Sequence, residues 1–131
     1  MNMEFLRKLF ARKEEQIHPA VAPPPRPEIV EISPADLMKE WQTANRPILL
    51  DVRESYEWQQ MHVPNSLHVP MNQIPASLGK LNKEANIVVI CATGSRSYSV
   101  TAFLAQNGFK VRNLRGGIMR WHQSGGEVVA G

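Results

Sequence analysis

Cys91 is the only cysteine in the chain. It closes the apolar run Ile87-Val88-Val89-Ile90 and opens Ala92-Thr93-Gly94-Ser95-Arg96-Ser97, small or polar residues around one arginine. The four apolar, mostly β-branched residues predict a buried strand, and a helical pattern runs on from the loop to Asn107. Strand, short loop and helix N-terminus in series make an anion cradle. Backbone N–H groups converge on the loop centre, and the helix dipole adds about half a positive charge there. A thiol in that position is expected to ionise below its ordinary pKa and to act as a nucleophilic thiolate near neutral pH. Arg96 adds a fixed charge and a planar donor fork suited to a bound oxyanion. The alternative for a lone cysteine is a packing role. Its place at a strand end before a Gly/Ser loop, rather than on an apolar face, argues against that.

Two further sets of polar residues need placing. Asp51-Val52-Arg53 follows the apolar run Ile48-Leu49-Leu50, a strand expected to be buried on both faces, and stands at its C-terminal end, where open α/β sheets carry functional groups. A carboxylate and an arginine side by side at a strand end also make a salt-bridged corner. That supporting role is the reading adopted for Asp51 and Arg53. His62 and His68 sit near turns, and no spacing couples either to Cys91. They read as hydrogen-bonded packing residues.

The elements that must position these groups alternate. Strands are expected at residues 29–32, 48–50, 67–69, 87–90 and 111–114. Helices are expected from Ser33-Pro34-Ala35-Asp36, which carries an N-cap serine and a proline at the first helical position, and at 55–61, 74–81, after the Cys91 loop, and at 118–123. Gly108 ends the fourth helix and Gly116-Gly117 makes a tight turn before the last, which Trp121 anchors. Alternating strands and helices predict a three-layer α/β domain on a mostly parallel sheet.

With 131 residues there is room for one ordinary domain. Residues 28–131 carry ten Lys/Arg against nine Asp/Glu, whereas residues 1–27 carry five against three. The net charge of +3 therefore sits mostly ahead of the domain, which excludes a nucleic-acid footprint on it. No apolar run is long enough to span a bilayer and the N-terminus has no secretory pattern, so a cytoplasmic protein is expected. Residues 1–18 read as a basic amphipathic segment: Phe5, Leu6, Leu9 and Phe10 fall at helical spacing among Arg7, Lys8, Arg12 and Lys13. Residues 2–16 could make a weak contact with a membrane surface or a partner, or be a plain extension. Residues 19–27 hold five prolines and read as a stiff linker, leaving 28–131 as the domain.

Three pieces, taken together, resemble the rhodanese (sulfurtransferase) family. The first is Leu50-Asp51-Val52-Arg53-Glu54 with Tyr56-Glu57 and His62-Val63-Pro64-Asn65-Ser66-Leu67-His68-Val69-Pro70. The second is Cys91-Ala92-Thr93-Gly94-Ser95-Arg96-Ser97, and the third is Leu114-Arg115-Gly116-Gly117 with Trp121 and Gly125. The resemblance covers about residues 29–126. It departs from the usual wording at Pro64-Asn65, where a Gly-Ala pair is commoner.

The resemblance implies a rhodanese-like domain with a five-stranded parallel sheet flanked by helices and the active loop after the fourth strand. It implies that Cys91 carries a sulfane sulfur as a persulfide, that Ala92, Thr93, Gly94, Ser95 and Arg96 with a helix start at Ser97 form the cradle, and that Arg96 shapes the loop and helps hold an anionic donor. Asp51 and Arg53 match supporting positions. The partners implied are a small sulfur donor (thiosulfate, polysulfide or a persulfide) and a thiol, cyanide or sulfur-accepting protein. With a single cysteine, discharge must go to an external acceptor. No cofactor is implied and no metal, because one cysteine and scattered histidines offer no ligand set. Related phosphatases use a Cys-x5-Arg loop, and the Cys-x4-Arg spacing here suits a single sulfur better than a phosphoryl group. A rhodanese-like binding module without turnover is the alternative, and such modules usually lack the loop cysteine.

Overall fold

Along the fourth strand the side chains alternate, as strand geometry requires. Val88 and Ile90 pack into one apolar cluster, and Ile87, Val89 and Cys91 into another. A strand buried on both faces needs helices above and below, and the chain supplies them. The computed structural model describes residues 28–131; the segments expected at 1–18 and 19–27 lie outside the described residues.

Five parallel strands, β1 (Glu31–Ile32), β2 (Ile48–Asp51), β3 (Leu67–His68), β4 (Asn86–Ile90) and β5 (Lys110–Leu114), form one sheet in the order β1-β5-β4-β2-β3. The helices are α1 (Pro34–Trp41), α2 (Ser55–Gln60), α3 (Ile74–Ser77), α4 (Ser95–Gln106) and α5 (Gly117–Gln123). Leu37 of α1 and Ile118 and Trp121 of α5 cover one face with Leu49, Val88, Ile90 and Leu114. Ile74 of α3 and Val100 and Leu104 of α4 cover the other with Leu50, Ile87 and Val89. The three-layer α/β architecture expected from the alternation is therefore the one observed. β4 is central, and its C-terminal end opens into the crevice where such sheets place ligands.

Local chemistry explains most boundaries. Ser33 Oγ accepts from the Asp36 N–H at 3.1 Å, capping α1 as its sequence predicts. Asn65 takes a left-handed φ of 64°, which asparagine tolerates, so Pro64-Asn65 completes a turn usually built with glycine. Three expectations are corrected. The first strand begins at Glu31, two residues late, although Val30 O still accepts from Asn113 N at 2.9 Å. The helix expected over 74–81 is short α3 between 3₁₀ turns at Met71–Gln73 and Leu78–Lys80. Ser77 Oγ donates back to Gln73 O at 2.8 Å and Gly79 lacks helix propensity, so the run tightens rather than continuing. The helix after the Cys91 loop starts at Ser95 rather than Ser97, because Gly94 adopts φ 103° and ends the loop early.

Residues 127–129 are tied to the connection between α2 and β3 and to α5. His62 and Val129 exchange backbone hydrogen bonds at 2.8 Å, and Trp121 Nε1 donates to Glu127 O at 2.9 Å.

Candidate active site at the end of β4

Cys91 stands at the C-terminal end of β4 and is fully buried on the same apolar face as Ile87 and Val89. This corrects the expectation that it would stand off such a face. What sets it apart from a packing cysteine is the set of donors on its sulfur. Its Sγ accepts the Gly94 N–H at 3.0 Å and lies 3.2 Å from Ser97 Oγ. Burial pushes the Cys91 thiol up. The Ser97 hydroxyl and the N–H groups of Ser97, Gly94 and Thr93 outweigh it, and the thiol ends below its ordinary pKa. The cradle expected from strand, loop and helix is thus assembled around the sulfur. Ala92 and Gly94 are half-buried in its wall, Thr93 and Ser95 are exposed at its rim, and Ser97 is buried beneath it.

The loop is held from behind by the start of α5. The N–H of Ile118 donates to Cys91 O at 2.9 Å, and that of Met119 to Ala92 O at 3.2 Å. Donors that the first turn of a helix leaves unpaired here fix the carbonyls of another loop. Gly117, at φ 64°, lies so near this loop that a Cβ on it would overlap Ala92 O and Cys91 O. The pair Gly116-Gly117 reads from sequence only as a turn. Its contact with the Cys91 loop is tertiary.

Arg96 is placed differently from the expectation of a fork over a bound anion. Its Nη1 and Nη2 donate to Glu57 Oε1 and Oε2 at 2.7 and 2.9 Å, so the fork is already closed on α2. Glu57 also accepts the Glu54 N–H at 3.0 Å. Through this pair α2 braces the start of α4, and the sulfur is left to backbone donors and Ser97. The Arg96 guanidinium beside Glu57 holds its carboxyl well below the ordinary 4.5, at about 2, despite the upward push of burial. A depressed carboxyl adds stability that is complete above pH 4.5 and lost as pH falls through about 2. With Arg96 about a third exposed, screening keeps the contribution small. Glu57→Gln should lower unfolding stability by about 1 kcal/mol at neutral pH, and urea titrations should show that difference shrinking toward zero as the acid limb is reached.

Asp51 and Arg53 form a buried corner beside the cradle. Arg53 Nε and Nη2 reach Asp51 Oδ1 and Oδ2 at 3.0 and 2.8 Å, and Nη2 also donates to Met61 O at 2.7 Å. Arg53 O is in turn bound by His68 Nε2 at 2.7 Å, so one arginine ties the ends of β2, α2 and β3 together. His62 Nδ1 donates to Trp58 O at 2.9 Å, and both imidazoles stack on the Trp58 ring. Neither histidine has a hydrogen bond to Cys91.

Asn113 went unremarked in the sequence. It is buried on β5 and binds Ser97, Gly94 and Glu31 together. With Lys110 and Arg112 also polar on the same strand, nothing in the pattern set Asn113 apart. Among the described residues no cluster of three or more His, Cys, Asp or Glu could hold a metal ion, and no helix is long and apolar enough to cross a membrane.

Residues 34–124 match the family model of the Rhodanese-like domain. A sulfurtransferase of Allochromatium vinosum is 36% identical over 101 residues, covering 76% of this chain and 94% of that protein. The putative sulfurtransferase YtwF of Bacillus subtilis is 38% identical over 94 residues, covering 72% and 91%. Among solved structures, a rhodanese-related protein from Thermoplasma volcanium superposes with a TM-score of 0.71 at 32% identity, covering 76% of this chain and 97% of that one.

Proposed function

The chain belongs to the rhodanese-like family, and from that footing we propose that it is a sulfurtransferase working through a Cys91 persulfide. The Cys91 thiolate attacks the outer, sulfane sulfur of a donor. With thiosulfate, a new S–S bond forms, the old one breaks, and sulfite leaves with the bonding electron pair. An acceptor thiolate then attacks the outer sulfur of the persulfide, and Cys91 leaves as the thiolate it began as. Cyanide as acceptor would give thiocyanate. Both halves are nucleophilic displacements at sulfur, so each product leaves before the next substrate enters.

The observation that carries this reading is the set of donors on Cys91 Sγ, the Gly94 N–H at 3.0 Å and Ser97 Oγ at 3.2 Å, in a loop only six residues long from Cys91 to Arg96. A ring this small stabilises one anionic sulfur and leaves little width for a tetrahedral phosphoryl group. Polysulfides and low-molecular-weight or protein persulfides qualify as donors beside thiosulfate, because the rim residues Thr93 and Ser95 carry no charge for a dianion. Thr93, Ser95 and the N–H groups between them are the surface a donor meets first.

Intact-protein mass spectrometry tests the proposal. After incubation with thiosulfate, and separately with polysulfide, the protein should gain the mass of one sulfur atom and lose it on adding cyanide or a thiol. The donor that loads faster identifies the substrate class. A protein that loads from neither, while its thiol still titrates normally, would overturn the persulfide cycle in favour of a binding module.

A further inference from the structure

Ser97 Oγ lies 3.2 Å from Cys91 Sγ and is also hydrogen-bonded to Asn113 Oδ1, yet a hydroxyl has one proton to donate. The far end of the Asn113 carboxamide settles which way it faces. Nδ2 donates to Gly94 O and to Glu31 Oε2, both at 3.1 Å, two acceptors that Oδ1 could not confront. Oδ1 is therefore always turned toward Ser97. When Cys91 carries its proton, Ser97 can accept the S–H and donate to Asn113. When Cys91 is an anion, Ser97 supports it only by turning that proton from Oδ1 to Sγ, which leaves a buried carbonyl short of a donor.

We propose that Asn113, braced by Glu31, is a positioning residue that competes with the Cys91 sulfur for the single proton of Ser97 and thereby sets how readily that sulfur becomes an anion. The thiol proton leaves to solvent, the Ser97 hydroxyl rotates about its Cβ–Oγ bond, and no other bond is made or broken. The competition keeps the thiolate less stabilised than its donors alone would make it. That preserves nucleophilicity, which falls as a thiol's pKa falls. This benefit rests on the sulfur-transfer reading, whereas the effect on titration does not.

The charged groups around the sulfur are Arg96 with Glu57, the Asp51–Arg53 pair at the end of β2, and Glu31 with Arg115 at 3.8 Å. Substitution of Asn113 leaves the Arg96–Glu57 and Asp51–Arg53 pairs in place but takes from Glu31 its bond to Nδ2, so each shift is taken as the difference between backgrounds with and without Ser97. That difference in the thiol's titration reports the Ser97 proton.

The chain's single cysteine allows the thiolate to be followed directly by its ultraviolet absorbance against pH in the full-length protein. Asn113→Leu removes the competing acceptor and should lower the thiol pKa by about one unit. Asn113→Asp, a stronger acceptor that also adds a charge and faces Gly94 O and Glu31 Oε2, should raise it, and the part of that rise that acts through Ser97 should disappear in the Ser97→Ala background. Ser97→Ala should raise it, and Asn113→Leu should then have no further effect. Glu31→Gln, a milder change at a half-buried position, should lower it by less, and the lowering should be smaller still in the Ser97→Ala background, where only the lost charge acts. Asn113 variants that move the pKa in the same direction, or an Asn113→Leu shift that persists without Ser97, would overturn the proposal. Titration needs no sulfur donor. Opposite shifts in a protein that fails to load sulfur would support the role of Asn113 while removing the function proposed above.

Discussion

Cys91→Ser should abolish sulfur loading, with the single-sulfur mass gain absent and turnover reduced by at least about a thousandfold. The substitution changes one atom and leaves the cradle standing. The Gly94 N–H and Ser97 Oγ, 3.0 and 3.2 Å from Sγ, would surround a hydroxyl instead. These donors lower a thiol's pKa below its ordinary value. An alcohol starts several units higher and stays protonated, and a neutral hydroxyl is a poor nucleophile toward divalent sulfur. The same protein should keep the unfolding midpoint of the wild type to within about 1 kcal/mol, which separates lost chemistry from lost fold. Residual loading in Cys91→Ser would show that sulfur attaches elsewhere and would remove Cys91 from the reaction.

Gly117→Ala should be strongly damaging although it lies outside the loop. Its cost has two parts. A left-handed φ of 64° penalises any Cβ by about 1–2 kcal/mol, and the new methyl would overlap Ala92 O and Cys91 O, which belong to backbone and cannot swing aside. Together these should cost about 3–5 kcal/mol of unfolding free energy, read as a lower urea midpoint. Sulfur loading should fall with it, because relieving the overlap means pushing the Cys91 loop away from the start of α5. Gly125→Ala isolates the first part. Gly125 has φ 91° but open space around it, so alanine there should cost only about 1–2 kcal/mol and leave loading intact. Equal effects at the two glycines would refute the contact between α5 and the loop as the reason for the difference.

The chain's own order accounts for much of this design. Burial on both faces is written into Ile87-Val88-Val89-Ile90 as an unbroken apolar run. The Ser33-Pro34 start of α1 is capped by its own side chain. The donors of the cradle are local as well: Cys91, Gly94 and Ser97 lie within one strand–loop–helix unit. Wherever the group and what positions it are within a few residues of each other, periodicity and turn chemistry are sufficient to read them.

What remained hidden was set by groups far apart in the chain. Arg96 presents a free fork in sequence, and only the packing of α2 against α4 brings Glu57 to close it. Asn113 and Glu31 meet because β1 pairs with β5, which carries a polar network beneath Ser97 that no spacing announces. Gly117 is a turn residue until the return of α5 sets it against Ala92. Even the expected 74–81 helix failed on a balance of local preferences too fine for pattern to decide. By itself the sequence determined the α/β alternation, the cysteine at a strand end and the helix start that follows. The tertiary structure decided what holds the sulfur's donors in place and which charges are already paired, because those depend on strand order and helix packing, and a single side chain's type does not specify its distant neighbours.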